Sequence, residues 1–158
     1  MKFILRHISW KKNLRLSIGI LLALVLSSFY GLYTNSFYFF DPLNYIFPIL
    51  SIVHFVFLYV MWFKITEEEF PDPKMRNIEY ALYSILFVYL FKIYTAADTL
   101  YEYTEYVDHV VPSTFFPLGI FILILHILLP VLTLLTFKQR KDMVGDYNFE
   151  DIHKIDHW

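Results

Sequence analysis

The sequence predicts an all-α integral membrane fold: an antiparallel bundle of four transmembrane helices with both termini on the cytoplasmic side. Three observations predict it. Of 158 residues, 58% are hydrophobic and 21% aromatic, and mean hydropathy is +0.49. A water-soluble domain of this length needs more polar surface than that. The apolar residues gather in four long runs, and the basic residues cluster between alternate runs.

A helix needs roughly 20 apolar residues to cross a bilayer core. Residues 14–33, 43–63, 78–97 and 114–137 each meet that length. The first run is read as a retained helix rather than a cleaved signal, because no A-x-A-like site follows it. In the third, YTAADTLYEYTEYVDH contains no Gly or Pro, and Pro112 is the first stop signal. That helix is expected to project beyond the bilayer to about residue 109, its tyrosines at the interface. One transmembrane domain thus covers 1–137, and 138–158 form a short cytoplasmic tail. Phe149, Ile152 and Ile155 in that tail have the spacing of a short helix lying on the membrane or on a partner, with a loosely held tail as the equal alternative.

Orientation follows from the basic residues flanking the runs. Lys2, Arg6, Lys11, Lys12 and Arg15 precede the first run; Lys64, Lys74 and Arg76 lie between the second and third. Lys138, Arg140, Lys141 and Lys154 follow the fourth, so twelve of the thirteen share one side. The thirteenth, Lys92, lies within a run. The localisation expected is a bacterial inner (plasma) membrane.

Lipid gives no hydrophobic drive between spans, so close packing needs small side chains. Gly19, Ala23, Ser27 and Gly31 recur every four residues in the first run and form the expected packing stripe. The second and fourth runs share a layout: Phe47-Pro48, His54 and Phe63-Lys64, against Phe116-Pro117, His126 and Phe137-Lys138. Counted from the run ends, both histidines fall near the midplane, where an ionisable group is a functional candidate. The leading reading is a structural polar seam. Ser51 lies one turn from His54, Gly119, His126 and Thr133 share one face, and Pro130 cannot donate to the His126 carbonyl.

Two sharper readings involve the same groups. Paired histidines at equal depth suit a b-type haem, although the second run has no glycine to give a macrocycle clearance. Alternatively, Ser84, Lys92, Thr95, Thr99 and Glu102 form a stripe about 160° wide on the third helix, suited to a hydrated path. No carboxylate matches the depth of Lys92 in the other runs. Lys92 must therefore snorkel, lose its proton, or face water and a neighbouring chain. Outside the bilayer, Asp98, Glu102, Glu105 and His109 share one face with cation-binding spacing.

No nucleophile–base pair, phosphate loop or H-E-x-x-H motif occurs in the chain, and there are no cysteines. The basic residues read as topology signals, which gives nucleic-acid binding no support. The expectation is a non-enzymatic membrane component, an anchoring or accessory subunit whose partners are the bilayer and other membrane chains. The alternatives are a homo-oligomeric pore or ion-conducting effector, as in stress or antiviral defence by analogy of architecture alone, and a haem-binding redox subunit.

Overall fold

The computed structural model describes residues 8–105 and 111–147, apart from the side chains of 104 and 105. Among them are helices α1 (Trp10–Ser27), α2 (Ile46–Thr66), α3 (Pro73–Glu105) and α4 (Phe115–Val144). A two-stranded hairpin of β1 (Tyr30–Gly31) and β2 (Ser36–Phe37) and a 3-10 turn (Pro42–Tyr45) lie between α1 and α2. Three helices are long and apolar enough to cross a membrane: α2 with its 3-10 lead-in, α3 and α4.

The first run departs from expectation. The apolar run predicts a continuous helix to about residue 33, but α1 stops at Ser27. The Ser27 hydroxyl donates to the Ala23 carbonyl and that of Ser28 to Leu24, a local competition that weakens helix continuation. The chain then turns back at Asn35, whose positive φ of 52° suits an asparagine. Tyr30 pairs with Phe37 and Gly31 with Ser36. Gly31 therefore belongs to a hairpin, where the Tyr38 ring would lie 2.6 Å from a Cβ at that position.

Local signals explain the other ends. The Asp41 carboxylate accepts from the Leu43 N–H to open the 3-10 turn, with Pro42 just inside. Asp72 accepts from the Met75 N–H at 2.7 Å, and Pro73 follows at the first helical position. This cap starts α3 five residues before the apolar run that marks its span. At 33 residues α3 is about 50 Å long, well beyond a 30 Å hydrocarbon core. His109 and the expected tail helix at Phe149, Ile152 and Ile155 lie outside the described residues. α4 continues past Phe137 to Val144, and Gly145 (φ 107°) ends it with its N–H on the Lys141 carbonyl. The segment expected to be tail from residue 138 is thus helical for two further turns.

The helices stand in a square in chain order: α4 packs along α3 and α1, and α2 along the same two. Asn13 at the start of α1 meets Gln139 near the end of α4, and Glu79 early in α3 meets Arg140. Neighbouring helices are therefore antiparallel. Leu21, Leu24, Phe57, Leu58, Met61, Leu82, Tyr89 and Leu129 fill the centre.

Ring contacts set the vertical register of α2 and α4. Phe47 packs on His126 with centroids 6.0 Å apart, and Phe57 on Phe137 at 5.5 Å. By that offset His54 stands level with Thr133, about 10 Å from the level of His126 at 1.5 Å per residue. The histidines are not at equal depth. Counting from run ends assumed the two helices start flush, whereas by that offset the start of α2 at Ile46 is level with about residue 125 and α4 begins about ten residues earlier, at Phe115.

Candidate functional site

Where α2 falls short, α1, the hairpin, α3 and α4 leave a pocket of about 210 Å³. Leu24, Ser27 and Ser28 from α1, Tyr30 and Leu32 from the hairpin, Lys92, Thr95, Ala96 and Thr99 from α3, and Ile122 and His126 from α4 form its walls. Two of the residues singled out as intramembrane polar groups, Lys92 and His126, thus meet in one cavity. Ser27 and the stripe residues Thr95 and Thr99 join them.

The hydrogen bonds decide what this cavity offers. Ser27 and Ser28 hydroxyls donate within α1, Thr95 donates to the Lys92 carbonyl, and Thr99 to that of Thr95. Their protons are committed, and their oxygens remain acceptors. His126 Nδ1 lies 2.9 Å from the Ile122 carbonyl, which can only accept. Nδ1 therefore carries a proton, and when the ring is neutral Nε2 is an acceptor. Among the described residues no carboxylate pairs with Lys92, whereas Lys64, Arg140 and Lys141 each have one. The cavity is a cation without a counter-charge, ringed by acceptors.

His126 does not use the carbonyl freed by Pro130; it bonds one turn back within its own helix. The seam reading of its face fits, since Gly119, His126 and Thr133 are all buried. A Cβ on Gly119 would meet Leu100 at 2.6 Å, so this glycine lets α3 close onto α4.

His54 is elsewhere. It is wholly buried, with Nδ1 3.0 Å from the Tyr89 hydroxyl, and its Nε2 has no partner among the described residues. Ser51, expected as its neighbour in a polar contact, donates to the Phe47 carbonyl instead. The buried rings of Phe47 and Tyr89 fill the space between the histidine levels, packing on each other at 5.8 Å. A haem bridging His54 and His126 would have to displace both rings and span the vertical offset.

The small-residue stripe splits. The buried face of α1 is Asn13, Ser17, Leu21 and Leu24. Gly19 is exposed with nothing within 4 Å of an added Cβ, while Ala23 and Ser27 are half-buried. Asp98 and Glu102 are exposed; the side chains of Glu105 and His109 lie outside the described residues. Among the described residues no three potential ligands converge as a metal site. The acidic pair still acts on its surroundings. Burial first, then Glu102 and Asp98, holds the Tyr33 phenol above its usual pKa.

A second polar cluster, at the end of the bundle where α1 starts and α4 ends, was not anticipated. Asn13 donates to Thr136 Oγ1 and Gln139 Oε1, both at 2.9 Å, joining α1 to α4. Arg140 holds both oxygens of Glu79, Tyr147 donates to the same carboxylate, and the guanidinium lies 4.1 Å over the Tyr147 ring. Arg140 and Glu79 are too far apart in sequence for spacing to pair them. The only local signal was their polarity beside apolar runs. Set against known proteins, the chain matches no family model, no curated protein and no solved structure.

Proposed function

We propose that this chain is a non-enzymatic anchoring or accessory subunit of a larger membrane complex, crossing the bilayer four times with both termini cytoplasmic. One observation carries the subunit reading. The least apolar of the three spanning helices is also the least covered. The best window of α3 has mean hydropathy 1.4 and is 17% buried; those of α2 and α4 reach 2.2 and 2.8 and are 33% buried. A bundle alone in lipid gains by the reverse arrangement, with its most polar helix inside. Another membrane chain lying against α3 resolves the mismatch. Tyr80, Phe87, Phe91 and Tyr94 are exposed along that helix and supply broad aromatic contact area.

The fourth crossing is assigned to α1. Its eighteen residues carry Lys11, Lys12 and Arg15 in the first turns, which keeps its apolar part short. It nevertheless runs beside α4, from the Asn13 bonds at one end to the pocket at the other. Basic side chains at its start can reach the cytoplasmic headgroups while their stems stay in lipid.

The ion-conducting alternative needs Lys92, Thr95 and Thr99 to face water between copies of the chain. These residues line a pocket within one chain instead, which favours the subunit reading.

The test is site-specific photo-crosslinking in intact cells, with a photoreactive amino acid at Phe87 or at Tyr94. A defined adduct with a different polypeptide is the expected result. An adduct at twice the 19.1 kDa chain mass would favour a homo-oligomer, and labelling of lipid alone would sink the proposal.

A further inference from the structure

The Lys92 pocket has a neighbour. An apolar groove of about 270 Å³ is formed by Leu26, Phe37, Leu118 and Phe121, and it shares Ser27, Tyr30 and Ile122 with the pocket. A cationic cavity and an apolar channel therefore meet along one edge. Leu26, Phe37 and Phe121 are each more than half exposed, so the channel opens sideways rather than into the bundle.

We propose that the pocket and groove together bind a singly anionic lipid, its headgroup against Lys92 and its acyl chain between α1 and α4. Lys92 Nζ has neither an ion-pair nor a hydrogen-bond partner among the described residues. An ammonium in a partly apolar cavity is costly unless paired, and a phosphate or carboxylate supplies the pair. A free anion would answer the charge and leave the groove unused, whereas an amphiphile fills both.

The acceptors narrow the headgroup further. His126 Nε2 and the Ser and Thr oxygens repel a bare anion but accept hydrogen bonds from headgroup hydroxyls. A phosphodiester bearing hydroxyls, as in phosphatidylglycerol, satisfies the cation and the acceptors together. Depth is consistent. Lys92 lies about one turn outward of Tyr89, which packs on Phe47 at the start of α2. The headgroup would sit near the outer interface, where headgroups reside. This site requires only that α3 and α4 lie in lipid, and no partner against α3.

Native mass spectrometry of the full chain, released from non-ionic detergent, tests it. The probes are phosphatidylglycerol, phosphatidylethanolamine and inorganic phosphate. Phosphatidylglycerol is expected to be retained about fivefold over phosphatidylethanolamine, roughly what one lysine near a membrane surface supplies. Lys92→Gln should abolish that preference and Lys92→Arg should keep it. Leu118→Trp, which fills the groove, should weaken retention of both lipids. Equal retention by the unaltered chain would overturn the proposal, and this comparison does not depend on any variant folding. Inorganic phosphate binding that phosphatidylglycerol fails to displace would also overturn it, in favour of a free-anion site. A partnerless chain with lipid preference, or the converse, separates this result from that for α3.

Discussion

Arg140 grips both carboxylate oxygens of Glu79 at 2.8 Å, fastening the C-terminal end of α4 to the start of α3. Both side chains are under a tenth exposed. A buried pair of this kind gains little over a well-packed apolar pair, yet breaking it strands a charge. Glu79→Leu or Arg140→Met alone should therefore cost about 3–5 kcal/mol. The double variant should cost clearly less than the two singles combined. Unfolding by denaturant in mixed micelles measures all three, and simple additivity would show that the pair is not coupled.

Tyr147 makes that cluster sensitive to alkali. Burial first, and then its hydrogen bond to Glu79, raises the phenol well above its usual pKa, because ionising it would place two anions together. A group with a raised folded pKa contributes stability that is complete below its unfolded value of about 10. That contribution is lost as pH climbs above 10 toward the folded value. Tyr147→Phe should therefore be less stable than the parent at pH 7, and the gap should narrow above about pH 10. Melting the two proteins across pH 7–11 gives the comparison. A constant gap would mean the Tyr147 proton plays no part.

Asp72 sets the opposite limit. Burial opposes its ionisation, but the Met75 N–H bond, followed by the bond and charge of Lys64, outweighs burial and lowers its pKa. A depressed folded pKa gives stability that is present above the unfolded value of about 3.9 and lost as pH falls below it. Asp72→Ala removes a helix cap and should cost about 1 kcal/mol at neutral pH. Asp72→Asn keeps an acceptor for Met75 and loses only the charge, so its smaller cost should fade below about pH 4. Thermal melts at pH 3 and pH 7 distinguish the two effects.

The legible parts of this fold were those written in local chemistry. Long apolar runs marked α2, α3 and α4, whereas Asp72-Pro73 was a start signal passed over in a loop that reads as polar and proline-broken. The seven-residue spacing of Gly119, His126 and Thr133 correctly placed them on one buried face. The hairpin was lost because Phe, Tyr and Leu in FYGLYTNSFYFF count as apolar whether helical or extended; Thr34-Asn35-Ser36 was the overlooked turn signal. Histidine depth failed for a different reason. Stagger between helices is a property of packing, and it is seen only in contacts such as Phe47 on His126. Likewise Arg140 carries two roles, a flanking charge and a buried partner, and a single sequence exposes just the first. The Lys92 pocket was half visible: the stripe on α3 could be read, but not the α1 end and hairpin that close over it.

The direction in which the chain threads the bilayer can be settled because the sequence contains no cysteine. A thiol placed at any exposed position is then the sole target of a membrane-impermeant maleimide. Ser36 lies in the hairpin and is exposed, and the Lys141 side chain near the other end of the bundle is 61% exposed. With the basic residues on the cytoplasmic side, Ser36→Cys should label in intact cells and Lys141→Cys only after the membrane is opened. Neither position is buried against a neighbouring helix, so both variants should fold. Labelling of Lys141→Cys from outside would invert the bundle. It would move the Lys92 pocket to the inner leaflet, where the bound anionic headgroup would have to come from the cytoplasmic face. If both positions label from outside, the number of crossings between them must be even, and one of α2, α3 and α4 lies on the surface instead.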